Sequence, residues 1–314
     1  MTTEATPGAP AGEFRVAYDA ALVEESVLLA ERRFDADRAV AFRAERDHIY
    51  SVHDPEEREA RFEELHGRYF LQLGLDRPLH QELAGRPQLR FRSCGCRVLR
   101  ATSRREQSAD LRQVQVGAAA SGRPTIVLQL TAQSLLDPER LHTLLRRELL
   151  HVEDMLDPGF GYVKELPLAD TEPALANLLR ERYRAVWDAA IDGRLCRRGL
   201  LGAPARTARL TEFARAFPML GERAEAAFAT WFDEPRPTHA AIVAFVQEPL
   251  GPESGDETRC PLCRLPTPAL ERGVRGLDPE VLSAIEGQHP GWRPEHGRCA
   301  RCREVYAALI SVPG

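Results

Sequence analysis

Lysine is almost absent from this chain: Lys164 is the single one among 42 basic residues, and every other fixed positive charge is an arginine. The arginines are spread along the chain and alternate with Asp and Glu, a pattern of genome composition rather than of a phosphate-binding tail. The formal net charge of -5 is mild for 314 residues, so charge alone demands neither an acidic nor a basic partner. Long apolar runs are missing as well. No stretch approaches about 18 consecutive apolar residues, which excludes a membrane-spanning helix. Residues 1–13 are small, polar and proline-containing, and read as a disordered lead rather than a signal peptide. No internal repeat is found. A soluble chain of the bacterial cytoplasm, long enough for two domains, is expected.

Cysteine is sparse but organised. Cys260-Pro261-Leu262-Cys263 and Cys299-Ala300-Arg301-Cys302 are two C-x-x-C turns across a connecting segment, the ligand set of a zinc ribbon or a treble-clef-like knuckle. Each turn points two thiolates at one centre, and two turns complete a tetrahedral Zn2+ site with no open position. A closed site is structural. Residues 259–314 carry few large apolar side chains and need such a staple, which supplies roughly 10–16 kcal/mol in comparable peptides. Two disulfides are disfavoured in a chain without an export signal. His296 is a substitute ligand that four cysteines make unnecessary. Such modules often bind nucleic acid, and Arg298, Arg301 and Arg303 form a small basic cluster, but the module carries about as many acids as arginines. A protein or peptide partner, or a purely structural role, is at least as well supported.

The centre of the chain holds a second pattern. Asp137 is a good N-cap, Pro138 suits a first helical turn and Asp157-Pro158-Gly159 is a stop, so residues 138–156 are expected to form one helix. Apolar residues at Leu141, Leu144, Leu145, Leu149, Val152, Met155 and Leu156 mark its buried face. Glu148 falls inside that stripe and His151 lies one turn on. A buried carboxylate needs a partner, and an internal salt bridge with Arg146 or Arg147 satisfies that need as well as a metal does.

Arg147-Glu148-Leu149-Leu150-His151 reads as H-E-x-x-H with its first histidine replaced, and Thr125 to Leu130 reads as a buried strand leading into the helix. Over roughly residues 124–157 this resembles the zincin metallopeptidases, including the SprT-like and other small bacterial zincins, some of which carry a C-terminal ribbon. The resemblance implies that His151 is a ligand of a second Zn2+ and Glu148 the general base on its water. Arg147 occupies the position of the first ligand, and a guanidinium cannot deprotonate to coordinate a metal. No histidine occurs between His151 and His239, so the third ligand falls to Asp154, or to Asp188 or Asp192 on the next helix, whose alternative is a solvated charged face with Glu181 and Arg184. The resemblance therefore implies a hydrolase with lost or altered activity; a non-enzymatic zinc scaffold or regulator is the alternative.

Helices are expected over Phe14 to Tyr50, broken near Asp35, and over 55–73, 171–192, 208–217, 220–232 and 237–247. Strands are expected at Leu89 to Ala101, Val114 to Val116 and Thr125 to Leu130. Glu45 with His48, and Glu63 with His66, repeat the E-x-x-H spacing of di-iron bundles, but strands between the pairs do not belong in a four-helix bundle. Surface histidines are the plainer reading, with replacement of the ligand lost at Arg147 as the alternative. Cys94, Cys96 and Cys196 read as inert thiols. The expected architecture is α+β: a mostly helical zincin-like domain with a small sheet over 14–248, a linker at 249–258 and a zinc-ribbon module from 259.

Overall fold

The computed structural model describes residues 14–113, 115–116, 119–120, 122–164, 166, 173–250, 259–263, 267, 269–275 and 277–310. The expected disordered lead at 1–13, and the linker from 251 onward, lie outside the described residues. The chain divides into two units, Met1–Pro158 and Gly159–Gly314. The division falls at the Asp157-Pro158-Gly159 stop, inside the stretch expected as one domain.

The first unit runs β1 (Arg15–Tyr18), α1 (Ala20–Glu31), α2 (Ala36–Tyr50), α3 (Pro55–Gln72), α4 (Arg77–Ala84), α5 (Pro87–Arg92), β2 (Gly95–Arg100), β3 (Ser108–Arg112), β4 (Gln115–Val116), β5 (Ala119–Ala120), β6 (Thr125–Leu130), α6 (Ala132–Leu135) and α7 (Pro138–Leu156). Its helices start where short polar side chains satisfy the orphan N–H groups of a first turn. Asp19, Asp35, Asp54 and Asp137 each accept from a backbone N–H within three residues, and Pro55 and Pro138 occupy the first turns behind two of them. The sheet order is β1-β2-β6-β3, with β1, β2 and β6 parallel and β3 antiparallel at the edge. The core lies between helices and sheet, where Leu22, Phe42, Leu89, Val98, Ile126, Leu128, Leu141, Leu145, Leu149 and Val152 are fully buried. The fold is α+β, and the helix expected at 138–156 is α7.

Several boundaries differ from the sequence expectation. The strand expected from Leu89 begins only at Gly95, because Pro87 opens the short helix α5. Gly95 is the first residue that lets β1 approach, since a Cβ there would stand 2.8 Å from the Arg15 carbonyl oxygen. β1 replaces the start of the helix expected from Phe14, as Val16 and Tyr18 pair with Cys96 and Val98, a long-range contact that local pattern does not encode. Helix α4 and strand β3 have no counterpart among the expected elements, and Val114 lies outside the described residues.

α4 enters the core through a buried carboxylate. Glu82, 8% exposed, accepts from Arg86 at 2.7 Å, His142 Nδ1 at 2.8 Å and Arg146 at 2.9 Å, tying α4 to α7. Burial alone would raise its pKa, but Arg86, His142 and Arg146 outweigh burial and hold it below the usual carboxylate range. Arg146 therefore has its partner in Glu82.

The second unit contains α8 (Pro173–Arg197), α9 (Ala203–Ala216), α10 (Ala224–Asp233), α11 (His239–Gln247), α12 (Pro279–Gln288) and α13 (Ala300–Ile310). Aromatic packing holds α9, α10 and α11 together: Phe213 meets Phe228 at 5.6 Å and Trp231 meets Phe245 at 5.3 Å, and the Tyr183 hydroxyl lies 2.7 Å from His239 Nδ1. α8 crosses the end of α10 at Gly193, where a Cβ would overlap the Phe232 carbonyl. Among the described residues, no helix is long and apolar enough to cross a membrane.

Because Glu82 has a depressed folded-state pKa, its contribution is present above its unfolded pKa and lost as pH falls through the folded one. Glu82→Ala takes the shared acceptor from Arg86, His142 and Arg146 and leaves buried Arg86 with Glu153 at 3.4 Å, and is expected to cost about 1–3 kcal/mol in urea denaturation at neutral pH. The deficit should shrink as pH falls beneath the usual glutamate range and through the lowered folded-state pKa, where the native carboxylate also protonates.

Candidate metal centre

The C-terminal part of the second unit is built around its cysteines. Cys260 and Cys263 belong to a tight turn, and Cys299 and Cys302 flank the start of α13. The Cys260–Cys302 and Cys263–Cys299 sulfur distances are both 3.8 Å, and all four sulfurs lie within 4.8 Å of one another. Tetrahedral Zn–S bonds of about 2.3 Å set adjacent sulfurs about 3.8 Å apart, whereas a disulfide needs about 2.05 Å. The four cysteines are placed to bind one metal ion.

Local hydrogen bonding favours that arrangement. The Cys299 N–H donates to Cys260 Sγ at 3.3 Å and the Cys302 N–H to Cys299 Sγ at 3.4 Å. The N-terminal end of α13 adds a positive dipole end beside the second turn, which favours thiolates. Without a cation, four thiols this close cannot all ionise. Cys260 is held far below the usual thiol range by hydrogen bonds from Cys263, Cys299 and Cys302, and Cys302 is pushed far above it by Cys260, Cys263 and Cys299. A divalent cation removes the conflict by taking all four as thiolates.

Three of the four cysteines are buried. Cys260, Cys299 and Cys302 form one apolar cluster with Leu262, Val281, Ile285, Trp292 and Tyr306. Trp292 Nε1 donates to the Gly297 carbonyl, and His289 Nε2 lies 2.9 Å from the Tyr306 hydroxyl. His296 accepts from the Arg293 N–H and stays outside the sulfur set. Between the two cysteine turns the described residues show one isolated bridge, Glu271 with Arg298, helix α12 and a short 3-10 turn, Pro294–His296. The second cysteine turn thus opens helix α13. Arg182 on α8 had no signal in the sequence, being one arginine among many. It is 1% exposed; burial, with Arg301, brings its guanidinium down to about 10, while Cys263 and Cys299 act in the opposite sense.

The basic cluster is neutralised locally. Arg298 is fully buried, donating to the Glu271 and Gly273 carbonyls, while Arg303 pairs with Glu271 at 2.7 Å and Arg301 with Glu181 at 3.4 Å.

The other candidates lie on different frameworks. His151 and Asp154 are buried on α7, at 7% and 6% exposure, and Glu148 is half-buried. Glu148 accepts the backbone N–H of Ala109 at 2.8 Å, on the edge strand β3. Asp188 and Asp192, on α8 in the second unit, both accept from Arg209 of α9, at 3.2 and 2.8 Å. Asp192 is 1% exposed, so the pair is an internal ion bridge rather than a solvated face. Among the described residues, the four cysteines are the only group of three or more His, Cys, Asp or Glu side chains placed to hold an ion. His48 is exposed, whereas His66 is 4% exposed and stacked on Phe62, which corrects its reading as a surface histidine. Glu45 accepts from Arg68 and Tyr69. Cys96 is buried, which pushes its thiol up to about 12, and Cys94 contacts the Thr125 hydroxyl, so neither is an activated nucleophile. Comparison of the chain with protein-family models, curated proteins and solved structures finds no match.

Glu148→Ala leaves the Ala109 N–H without its carboxylate, and the expected loss is about 1–3 kcal/mol in chemical denaturation. Metal content should stay at the wild-type value when measured by atomic emission.

Proposed function

We propose that this chain is a non-enzymatic zinc protein, a scaffold or regulator whose four-thiolate centre holds a helical module together for a protein or peptide partner. The observation that carries the reading is the set of 3.8 Å sulfur separations in a cluster of four cysteines, three of them buried. Zinc suits it because d10 Zn2+ imposes no geometry of its own and takes four thiolates tetrahedrally. With no open position there is no place for a reactive water. None of the seven cysteines forms a disulfide, which suits a reducing compartment such as the cytoplasm. A protein partner is favoured over nucleic acid because Arg298, Arg301 and Arg303 are buried or paired with carboxylates, leaving little cation density to displace counterions.

A second reading, descent from zincin peptidases with hydrolysis lost or altered, draws on the order β6, α6, α7 and on Glu148 and His151 standing one turn apart on α7. Its weak point is chemical. Glu148 already accepts a strand N–H, and Asp188 and Asp192 already hold Arg209.

Metal counting tests the proposal. One zinc per chain is expected, lost in Cys260→Ser and retained in His151→Ala; a second metal that disappears with His151→Ala would favour the peptidase reading. Zinc affinity should fall as pH is lowered, since binding requires four deprotonated sulfurs, and a competition titration between pH 8 and 5 reads this directly.

A further inference from the structure

Arg182 on α8 is among the largest fully buried side chains of the chain, at 1% exposure. Burial draws its guanidinium down to about 10, which still leaves it charged at neutral pH. Its Nε donates to the Ala216 carbonyl at 3.1 Å, and its Cζ stands 5.5 Å from the centre of the Phe217 ring. Neither group carries a negative charge. Nη1 is sealed from solvent without a hydrogen-bond partner, and among the described residues no carboxylate pairs with this arginine. A buried cation in that position is strongly destabilising unless an anion offsets it.

The metal centre has the converse need. Arg182, Arg301, Cys263 and Cys299 line one cavity of ≈ 300 Å³, and the ionisable groups that act on Arg182 are Arg301, Cys263 and Cys299. Arg301 adds repulsion, so the sulfurs alone can relieve the cation. Zn2+ bound by four thiolates bears a net double negative charge. Cys260, Cys299 and Cys302 lie among Leu262, Val281, Ile285, Trp292 and Tyr306, none of which supplies a positive charge. The backbone donors fall on Cys260 and Cys299, and among the described residues none reaches Cys263 Sγ. The other arginines of the module are already committed, Arg301 to Glu181 and both Arg298 and Arg303 to Glu271. Groups just outside a ligand set that neutralise or orient it set metal affinity nearly as firmly as the ligands do.

We propose, resting on the zinc reading above, that Arg182 is the built-in counter-charge of the metal centre: its guanidinium offsets the double negative charge of zinc and four thiolates, and the centre in turn offsets the buried cation. Competition between the full chain and a chromophoric chelator for Zn2+ tests it, with the Co2+ absorption spectrum as the check that the centre assembles. Arg182→Gln keeps a donor for the Ala216 carbonyl but no charge, and should weaken zinc binding about ten-fold or more while its cobalt complex retains the four-sulfur spectrum. Arg182→Lys keeps the charge and should stay within about three-fold of wild type. Arg206→Met removes another arginine held over aromatic rings, those of Phe228 and Phe232, and should change affinity less than about two-fold. In a Cys263→His background the centre carries one negative charge fewer, so Arg182→Gln should cost at least about three-fold less there than with four cysteines.

Wild-type affinity in Arg182→Gln would overturn the counter-charge and leave the zinc centre standing. So would an equal loss in Arg206→Met, in Arg182→Lys or in the Cys263→His background, since each marks a purely structural role. Absence of a four-sulfur cobalt spectrum in the wild type would instead overturn the zinc reading, and the counter-charge with it. Should Arg182→Gln fail to fold, Arg182→Lys decides alone: affinity within about three-fold of wild type supports the counter-charge, and a greater loss overturns it.

Discussion

Four sulfurs within 4.8 Å of one another are the constraint on which the C-terminal module depends. The cysteines are members of its apolar cluster, together with Leu262, Ile285, Trp292 and Tyr306, so whatever joins the sulfurs also closes the core. A segment with so few large apolar side chains gains little from burial alone, and the ion supplies the cohesion that area cannot. Loss of the ion would leave thiols competing for one another's protons at the centre of the cluster.

Elsewhere the same need, a partner for every buried charge, is met by protein groups. Glu82 gathers Arg86, His142 and Arg146 and fixes α4 on α7. Arg209 bridges Asp188 and Asp192, so that burial, which would lower its pKa, is outweighed by the two carboxylates. Glu148 covers the outward N–H of an edge strand, a group that otherwise invites pairing with another chain. Polar residues on apolar helix faces here are structural ties between elements, which is why helical spacing alone could not separate an ion-pair network from a metal site.

What was readable in the sequence follows from the range of each interaction. α7 matched its expected limits at Pro138–Leu156 because cap, proline and stop are local signals. The cysteine turns were legible because metal geometry dictates ligand spacing. β1, β3 and α4 were missed because their stability comes from distant partners: β2 for β1, β6 for β3, and the Glu82 contacts for α4. His66 was misread for a similar reason, since Phe62 is a local neighbour but Phe42, on α2, is not. Neither the closeness of Arg182 to the thiols nor the engagement of Arg298 and Arg303 by Glu271 has any signature in sequence spacing.

X-ray absorption at the zinc edge of the purified chain tests the central claim most directly. The account predicts a single shell of four sulfur scatterers at about 2.3 Å with no nitrogen or oxygen neighbour. A mixed shell containing histidine nitrogen or a water oxygen would contradict it, because the centre would then be open and the metal available for chemistry.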